Sequence, residues 1–335
     1  MKPHIFRVKN LVRLPAKVCA ICCLYLVTLS ATVTEISAGA TDKSDLRLYF
    51  FGHSLIAHAF PKNSSVSDET AVPYWMAKLA EVSDTNYTAN GQFGFLLQHA
   101  NLPPQSQWGF NTVASSWDPM DNLSESQRAE SFAGANFTDI VITAANFIQY
   151  QSPDESFDGD NPQNKSPVTA TLEIIDWLTT KEPGVDIYIY ENWPDMASYG
   201  SHPINRGAFE RYNKYVIGDF HDWWLDYCDQ LQTSRPSVGI KMIPVGPIIA
   251  GLVTETPLRD IDISELYEDD APHGQPNIYF LASLITYMAI TGNDELGIYQ
   301  PPMSIHQLIR DNMTLVISYI QTKLKQHMQN KKCQF

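Results

Sequence analysis

The sequence predicts an α/β fold: a three-layer, flavodoxin-like α/β/α sandwich in which helices cover both faces of a five-stranded parallel sheet. Two observations predict it. Five short apolar runs rich in β-branched and aromatic residues recur along the chain, and stretches of helical periodicity separate them. Near-continuous apolarity is typical of strands that are buried on both faces of a parallel sheet. Because strand and helix alternate, we expect right-handed crossovers with helices on both sides.

The individual elements follow from these patterns. The predicted strands cover residues 46–52, 86–90, 139–145, 185–191 and 239–245. The predicted helices cover residues 69–82, 168–180, 209–231, 277–290 and 305–329. The segment 101–136 has no clear periodicity. We therefore interpret it as a long loop insertion over the sheet edge. Loops of that length are often functional.

The N-terminus has the composition of a signal peptide. Five Lys or Arg residues precede an apolar stretch from Val18 to about Val33, and Ala38-Gly39-Ala40 follows as a small-x-small cleavage signal. A transmembrane anchor is the alternative, but the apolar run is shorter than the roughly 20 residues that span a membrane. We therefore expect residues 1–40 to be cleaved and residues 41–335 to form a single secreted or periplasmic domain.

The charge balance argues against two classes of partner. The chain holds 23 Lys and Arg against 37 Asp and Glu, a net charge of −14. Removal of residues 1–40 takes away five basic residues and one acidic residue, which leaves a net charge of −18. Such a surface repels nucleic acid and anionic membranes, so we expect neither as a partner. The sequence indicates no particular oligomeric state.

Cysteine and histidine usage indicates neither a disulfide framework nor a metal site. Of the five cysteines, only Cys228 and Cys333 lie outside the predicted signal peptide. Export permits a disulfide between them, but Cys228 lies in a predicted amphipathic helix, where we expect a buried free thiol. The histidines His99, His202 and His221 show no metal-ligand spacing. We therefore predict no metal and no other cofactor.

A serine with the placement of a nucleophile follows the first predicted strand. Ser54 comes directly after Phe50-Phe51-Gly52-His53. In a parallel sheet this position lies at the carboxyl edge, where the active sites of such folds form. If a helix begins there, its N-terminal N–H groups can stabilise an oxyanion. The alternative is an ordinary N-cap serine.

A carboxylate and an imidazole lie close together near the C-terminus. Asp270-Ala271-Pro272-His273 occupies a predicted loop before an apolar helix. A general base must reach the serine hydroxyl while an acid orients the imidazole. We expect one ring nitrogen of His273 near the Ser54 hydroxyl and Asp270 beside the other nitrogen. Because the two preceding residues are also acidic, a solvated acidic loop is the alternative.

Taken together, these motifs resemble those of the SGNH (GDSL-like) hydrolases. The segment 52–55, Gly-His-Ser-Leu, resembles the first block of that family, and the segment 90–94, Asn-Gly-Gln-Phe-Gly, resembles its glycine loop. Asn146, after the third predicted strand, resembles the asparagine of the third block, and Asp270 with His273 resembles the late Asp-x-x-His. The four motifs occur in family order across residues 46–290.

The resemblance implies the SGNH fold and a role for each matching residue. Ser54 would be the nucleophile, His273 the general base and then the general acid, and Asp270 the group that orients the imidazole. The oxyanion hole would be formed by the backbone N–H groups of Ser54 and Gly94 and by the side-chain amide of Asn146.

Two positions depart from the family pattern. His53 stands where the family has an acid or an amide, and we expect a structural role for its side chain. The residues around Asn146 lack the family's glycine and aspartate, so an ordinary turn residue is the alternative at that position. In the glycine loop, Gly91 is the alternative to Gly94, and an ordinary turn is the alternative for both.

Aromatic residues in predicted loops are candidate substrate contacts. Trp108, Trp117 and Trp193 lie in loops near the carboxyl edge of the sheet, where they can stack on sugar rings. Capping of the core is the alternative, because aromatic side chains commonly do so. We count Gly91 with these substrate-binding candidates.

The resemblance implies a metal-free serine esterase that hydrolyses a carboxylic ester through an acyl-enzyme, on a small-molecule or polysaccharide substrate. Export and the loop tryptophans favour an O-acetyl group on a carbohydrate. One alternative is a lipase or general esterase for longer acyl chains. The other is a non-catalytic carbohydrate-binding relative, although a binding module has no need of a serine, a histidine and an aspartate together.

Overall fold

The computed structural model describes residues 45–58, 69–101, 109–110, 130–132, 136–293, 296, 299–329 and 333. The expected signal peptide, Trp108, Trp117 and most of the segment 101–136 lie outside the described residues. None of the described helices is long and apolar enough to cross a membrane.

The described residues form helices and strands in alternation. In chain order these are β1 (Asp45–Gly52), α1 (Val72–Val82), β2 (Asn86–Phe93), α2 (Leu96–Asn101), β3 (Gly109–Phe110), β4 (Glu130–Ser131), β5 (Asp139–Ile142), α3 (Pro167–Lys181), β6 (Asp186–Tyr190), α4 (Arg206–Ile217), α5 (Asp219–Ser234), β7 (Ile240–Ile243), α6 (Val245–Glu255), α7 (Ile263–Leu266), α8 (Pro276–Thr291), α9 (Gln307–Asp311) and α10 (Met313–Met328).

The main sheet has five parallel strands in the order β2-β1-β5-β6-β7. Numbered among themselves, these strands follow the flavodoxin-like order 2-1-3-4-5. The predicted α/β fold with a five-stranded parallel sheet is therefore confirmed. The short strands β3 and β4 form a separate antiparallel pair within the predicted loop insertion.

Side chains of the sheet alternate between two apolar layers, as the pleat of a strand requires. In β1, Leu48 and Phe50 pack into one cluster, while Tyr49 and Phe51 pack into the other. Helices α1, α4, α6, α8 and α10 cover the first face, and α3 and α5 cover the second. Both faces of the sheet are thus buried, which explains why β1, β5, β6 and β7 are mostly apolar, whereas the edge strand β2 is largely polar.

The helices depart from the predictions at two breaks and in three additions, which are α2, α6 and α7. The predicted helix 209–231 is two helices, because Gly218 has φ −101° and ψ −114°, outside the helical region. The predicted helix 305–329 is divided at Asn312 between α9 and α10. The largest of these, α6, buries eight of its 11 residues and begins two residues after β7 ends.

Cys228 in α5 forms a disulfide with Cys333, and the two Cα atoms lie 5.8 Å apart. This distance is within the usual range for a disulfide. The expectation of a free thiol in α5 is therefore wrong. The two cysteines are 105 residues apart in sequence, so only the fold shows that the chain end returns to α5.

Removal of this bond should lower the stability of the domain. The double variant Cys228→Ser with Cys333→Ser should lose about 2–4 kcal/mol of unfolding free energy, because the bond restricts the unfolded chain over a long loop. Urea denaturation measures the loss. Wild-type protein treated with a reductant is the control, and it should unfold at the same urea concentration as the variant. Equal stability of the variant and the oxidised wild type would contradict this expectation.

Candidate active site

The candidate site lies where the strand order of the sheet reverses. The chain leaves β1 toward α1 on one face and leaves β5 toward α3 on the other. Between such strands a crevice forms at the carboxyl edge, and ligands of open α/β sheets bind there. Ser54 follows β1, and Asn146 follows β5. The sheet therefore brings these two predicted residues to one crevice.

Ser54 lies in a tight turn directly after β1. The N–H group of Ile56 donates to the carbonyl of His53 at 2.8 Å. Gly52 makes this turn possible, because a Cβ atom at its position would lie 2.7 Å from Cγ1 of Ile56. Ser54 is half-buried, and its hydroxyl makes no hydrogen bond with any described residue. The hydroxyl is therefore not tied to the protein.

The imidazole of His273 is held by Asp269, not by Asp270. Nδ1 of His273 lies 2.6 Å from Oδ2 of Asp269, while Oδ1 of Asp269 accepts the backbone N–H groups of His273 and Ala271 at 3.0 and 2.9 Å. Burial alone would raise the pKa of Asp269, but these hydrogen bonds and the charge of His273 lower it. Asp269 is therefore ionised at neutral pH.

The predicted orienting role of Asp270 is wrong. Its Oδ1 atom is buried and has no hydrogen-bond partner among the described residues, and its backbone carbonyl accepts the N–H group of Met196 at 2.8 Å. The physical reason is the turn of the loop. Asp269 accepts the backbone N–H groups two and four residues ahead, and this places its carboxylate beside Nδ1 of the His273 ring. Sequence spacing alone does not distinguish two adjacent aspartates.

The loop that carries His273 is fixed by residues that follow β5 and β6. Nε1 of Trp193 donates to the carbonyl of Pro272 at 2.9 Å, and Nδ2 of Asn146 donates to the carbonyl of Ala271 at 3.2 Å. Trp193 is only 1% exposed, so the prediction that it contacts substrate is wrong. Its indole positions the loop instead.

Two further contacts join the Ser54 turn to the His273 loop. The ring of His58 stacks on the ring of His273, with centroids 3.8 Å apart. The hydroxyl of Tyr279 in α8 donates to the backbone carbonyl of Ser54 at 2.6 Å. Ser54 itself and His58, four residues after it, are thus in contact with the segment that carries His273. The predicted serine and histidine therefore lie at the same edge of the sheet, but the expected hydrogen bond between the Ser54 hydroxyl and the His273 ring is absent among the described residues.

His53 is buried behind the serine and stays neutral. Burial lowers its pKa to about 4, and a hydrogen bond to Ala144 only partly opposes this. Nε2 of His53 donates to the carbonyl of Ala144 at 3.0 Å, and Nδ1 accepts the N–H group of Leu55 at 3.4 Å. The amide of Asn192 donates to the same carbonyl at 2.7 Å. These bonds agree with the structural role expected for His53.

The glycine loop does not supply a free oxyanion donor. The N–H group of Gly94 donates to the carbonyl of Gly52 at 2.8 Å, so its predicted role in the oxyanion hole is wrong in this structure. The alternative, Gly91, pairs with Phe50 in the sheet, and its N–H group donates to Oδ1 of Asn90 at 2.7 Å. Neither backbone N–H group points into the crevice without a partner.

Two of the predicted oxyanion donors retain hydrogens that are available to a substrate. The backbone N–H group of Ser54 donates to no described residue. The amide of Asn146 uses one bond to reach Ala271, and a side-chain amide carries two N–H donors. The turn after β1 and the residue after β5 therefore remain the candidate oxyanion donors.

An exposed pair of phenyl rings lies beside these donors. Phe95 and Phe147 are 39% and 53% exposed, and their centroids are 5.5 Å apart in an edge-on arrangement. Phe95 also lies 5.3 Å from the ring of His53. The sequence analysis missed this pair because it named only tryptophans as aromatic substrate contacts. The available signal was an aromatic residue directly after each of the candidate oxyanion residues Gly94 and Asn146.

The sequence analysis also missed His58 and Asp269. The signal for Asp269 was its position next to the Asp-x-x-His motif, and His58 had no signal beyond its distance of four residues from the serine. Among the described residues, no group of three or more His, Cys, Asp and Glu side chains could hold a metal ion.

Comparison with known proteins shows the fold. No protein-family model matches the chain, and no curated protein matches it. A solved structure of a DUF4886 family protein from Bacteroides uniformis is similar, with a TM-score of 0.50 and 12% sequence identity over 84% of this chain and 95% of that chain. A second solved structure has a TM-score of 0.40 and 12% identity over 75% of this chain and 99% of its own. At such identities the first likeness supports the α/β architecture alone.

The contact between Asp269 and His273 can be tested without substrate. Asp269→Asn should remove the strong acceptor at Nδ1 of His273, so a protected downfield Nδ1–H signal in the proton NMR spectrum should disappear. Asp270→Asn is the matched control and should keep the signal, because its carboxylate does not touch the ring. Loss of the signal only in Asp270→Asn would show that Asp270 holds the imidazole.

Proposed function

We propose that this chain is a serine hydrolase that cleaves carboxylic esters, as its resemblance to the SGNH hydrolases implies. One observation carries the proposal. A histidine held at Nδ1 by an ionised carboxylate lies at the same sheet edge as a serine whose hydroxyl has no partner among the described residues. A buried or half-buried carboxylate that orients an imidazole is the usual arrangement of a general base for a serine nucleophile.

The arrangement supports a two-step acyl transfer. Because Nδ1 of His273 is bound to Asp269, Nε2 is the nitrogen that takes the proton of the Ser54 hydroxyl as the serine oxygen attacks the ester carbonyl carbon. Collapse of the tetrahedral intermediate breaks the bond to the alcohol, and His273 returns the proton to the departing oxygen. Water then attacks the acyl-serine with His273 again as base, which releases the carboxylic acid.

Each supporting group contributes to one part of this reaction. Asp269 stabilises the imidazolium that forms when His273 takes the proton. The N–H group of Ser54 and the amide of Asn146 would donate to the carbonyl oxygen as it becomes negative, which is the largest stabilising effect in such reactions. His58 lies against one face of the His273 ring and restricts its rotation.

For the substrate we propose an O-acetyl group on a carbohydrate. The exposed rings of Phe95 and Phe147 beside the crevice support this choice, because aromatic faces pack against the apolar faces of sugar rings. The same rings would also contact a longer acyl chain, so a lipase or general esterase is the second candidate. A non-catalytic carbohydrate-binding relative is the third, and the Asp269–His273 pair argues against it.

We also propose that the protein is exported. The disulfide between Cys228 and Cys333 supports this, because such bonds form and persist in oxidising compartments. The basic and apolar residues of segment 1–40 point the same way.

Loss of the serine or the histidine should abolish hydrolysis, and the losses should not add. Ser54→Ala and His273→Ala should each lower kcat for p-nitrophenyl acetate by at least roughly 10³-fold, and the double variant should be little worse, because the two residues act as a unit. Ser318→Ala, at an exposed position of α10, is the matched control. A folded Ser54→Ala protein that hydrolyses the ester at the parental rate would refute the serine mechanism.

The phenyl pair separates the carbohydrate substrate from the long acyl chain. Phe147→Ala should lower kcat/KM for acetylated xylo-oligosaccharides by roughly 3- to 10-fold through lost ring packing, and should leave ethyl acetate unchanged. Leu315→Ala, 40% exposed on α10, is the control for loss of an exposed apolar side chain. Wild-type preference for hexanoyl over acetyl esters, lost in Phe147→Ala, would favour the lipase instead.

A further inference from the structure

A second cavity lies at the other end of the carboxyl edge, beyond β7. It has a volume of about 240 Å³ and opens between the start of α5, helix α6 and helix α10. None of the residues proposed for ester hydrolysis lines it. Its size is slightly below the roughly 300–1,000 Å³ of pockets for drug-sized ligands. The cavity therefore suits a small ligand.

A histidine backed by a buried carboxylate forms part of the cavity wall. Nδ1 of His221 lies 2.9 Å from both carboxylate oxygens of Glu191, whose side chain is completely buried. The histidine side chain is 20% exposed and lines the cavity. Because Glu191 occupies Nδ1, Nε2 is the nitrogen left for a ligand, and it bonds to no described residue.

The proton count of this pair sets the chemistry that Nε2 offers. When the pair holds two protons, either as carboxylate and imidazolium or as carboxylic acid and imidazole, Nε2 carries hydrogen and donates. When one proton leaves, the remaining one stays between Nδ1 and the carboxylate, and Nε2 becomes an acceptor. Burial raises the pKa of Glu191 to about 7, and His221 partly offsets this. Burial would lower the pKa of His221, but Glu191 raises it.

The other charged groups around His221 leave a donor surface in the cavity. Lys323 of α10 lies 3.4 Å from Glu255 of α6, and that carboxylate also accepts the hydroxyl of Tyr319 at 2.7 Å. Glu255 is thus already bound by two donors, while the ammonium of Lys323 keeps hydrogens for a ligand. Two further titratable groups act here: Asp222 of α5 raises the pKa of His221, and burial, together with the charge of His221, lowers the pKa of His327 of α10 to about 4.

Apolar side chains form another part of the cavity lining. Ile217, Pro247 and Ile248 line the cavity together with Gly251. A Cβ atom at Gly251 would lie 2.0 Å from the hydroxyl of Tyr319, so glycine at this position leaves room for the Tyr319 side chain. The cavity lining therefore combines hydrogen-bond donors with apolar side chains.

We propose that this cavity binds a small carboxylate with a short apolar body. The carboxylate accepts hydrogen bonds from Nε2 of His221 and from Lys323, and the apolar body lies against Ile217, Pro247 and Ile248. A carboxylate fits better than a cation because Glu191 and Glu255 are each already paired with donors. It fits better than inorganic phosphate because phosphate leaves the apolar wall without a contact.

The probe for this site is butyrate, with butyramide as a neutral ligand of the same shape and inorganic phosphate as an anion without an apolar body. Isothermal titration calorimetry of the whole protein near pH 6 should show butyrate binding more tightly than either. His221→Gln should weaken butyrate binding by at least about tenfold, as expected for loss of a charged hydrogen bond. Lys325→Ala, exposed on the same helix, should not change it.

Two further measurements keep the proposal testable. Butyrate affinity of the wild type should fall as the pH rises from about 6 to about 9, because Nε2 of His221 then changes from donor to acceptor. Asn146→Ala should leave butyrate affinity unchanged, which separates this cavity from the candidate active site. Equal binding of butyrate and butyramide, equal binding of butyrate and phosphate, or a pH-independent affinity would each overturn the proposal. Inactivity toward esters would not affect it.

Discussion

Three consecutive side chains with polar groups follow β6, are buried and need hydrogen-bond partners. The partners that they find hold the carboxyl edge of the sheet together. Glu191 binds His221 of α5, Asn192 binds the carbonyl of Ala144, and Trp193 binds the carbonyl of Pro272. A buried polar group without a partner costs about 1–3 kcal/mol. Three consecutive residues therefore fix a helix, the segment after β5 and the His273 loop relative to one strand.

This constraint explains why the candidate site can be assembled from distant parts of the chain. The serine turn near residue 54 and the loop near residue 273 do not belong to one local structure. They meet because the parallel sheet brings strand ends to one edge and because Tyr279 and Trp193 tie the loop to that edge. Burial keeps the imidazole of His53, behind the serine, neutral by lowering its pKa to about 4.

Much of the architecture could be predicted from the sequence, because buried parallel strands require apolar residues at nearly every position. The positions of most strands, and of the helices between them, could be predicted for that reason. The break at Gly218 and the helix α6 were not predicted, because Gly218 leaves the helical region within one apolar pattern and α6 begins two residues after β7 ends. The same holds for the pairing of Cys228 with Cys333, which depends on where the chain end lies.

The candidate site was predictable in position and less so in detail. Ser54, His273 and Asn146 could be inferred because each follows or precedes a recognisable element. The exchange of Asp270 for Asp269 could not, because the choice between adjacent carboxylates depends on the hydrogen bonds of one turn. Trp193 was misjudged for a related reason: an aromatic residue after a strand can face the solvent or the loop above it, and sequence does not show which.

The covalent link between α5 and the chain end has a consequence for handling the protein. Helix α5 carries His221, and α10 carries Lys323, so the two walls of the second cavity belong to elements that the Cys228–Cys333 bond holds together. A recombinant chain that is truncated before residue 333, or produced in a reducing cytoplasm, would lack this clamp. Such a preparation would retain the crevice beside β1 but lose the geometry of the second cavity. The oxidation state of Cys228 and Cys333 must therefore be known before ligand binding at the two sites is compared.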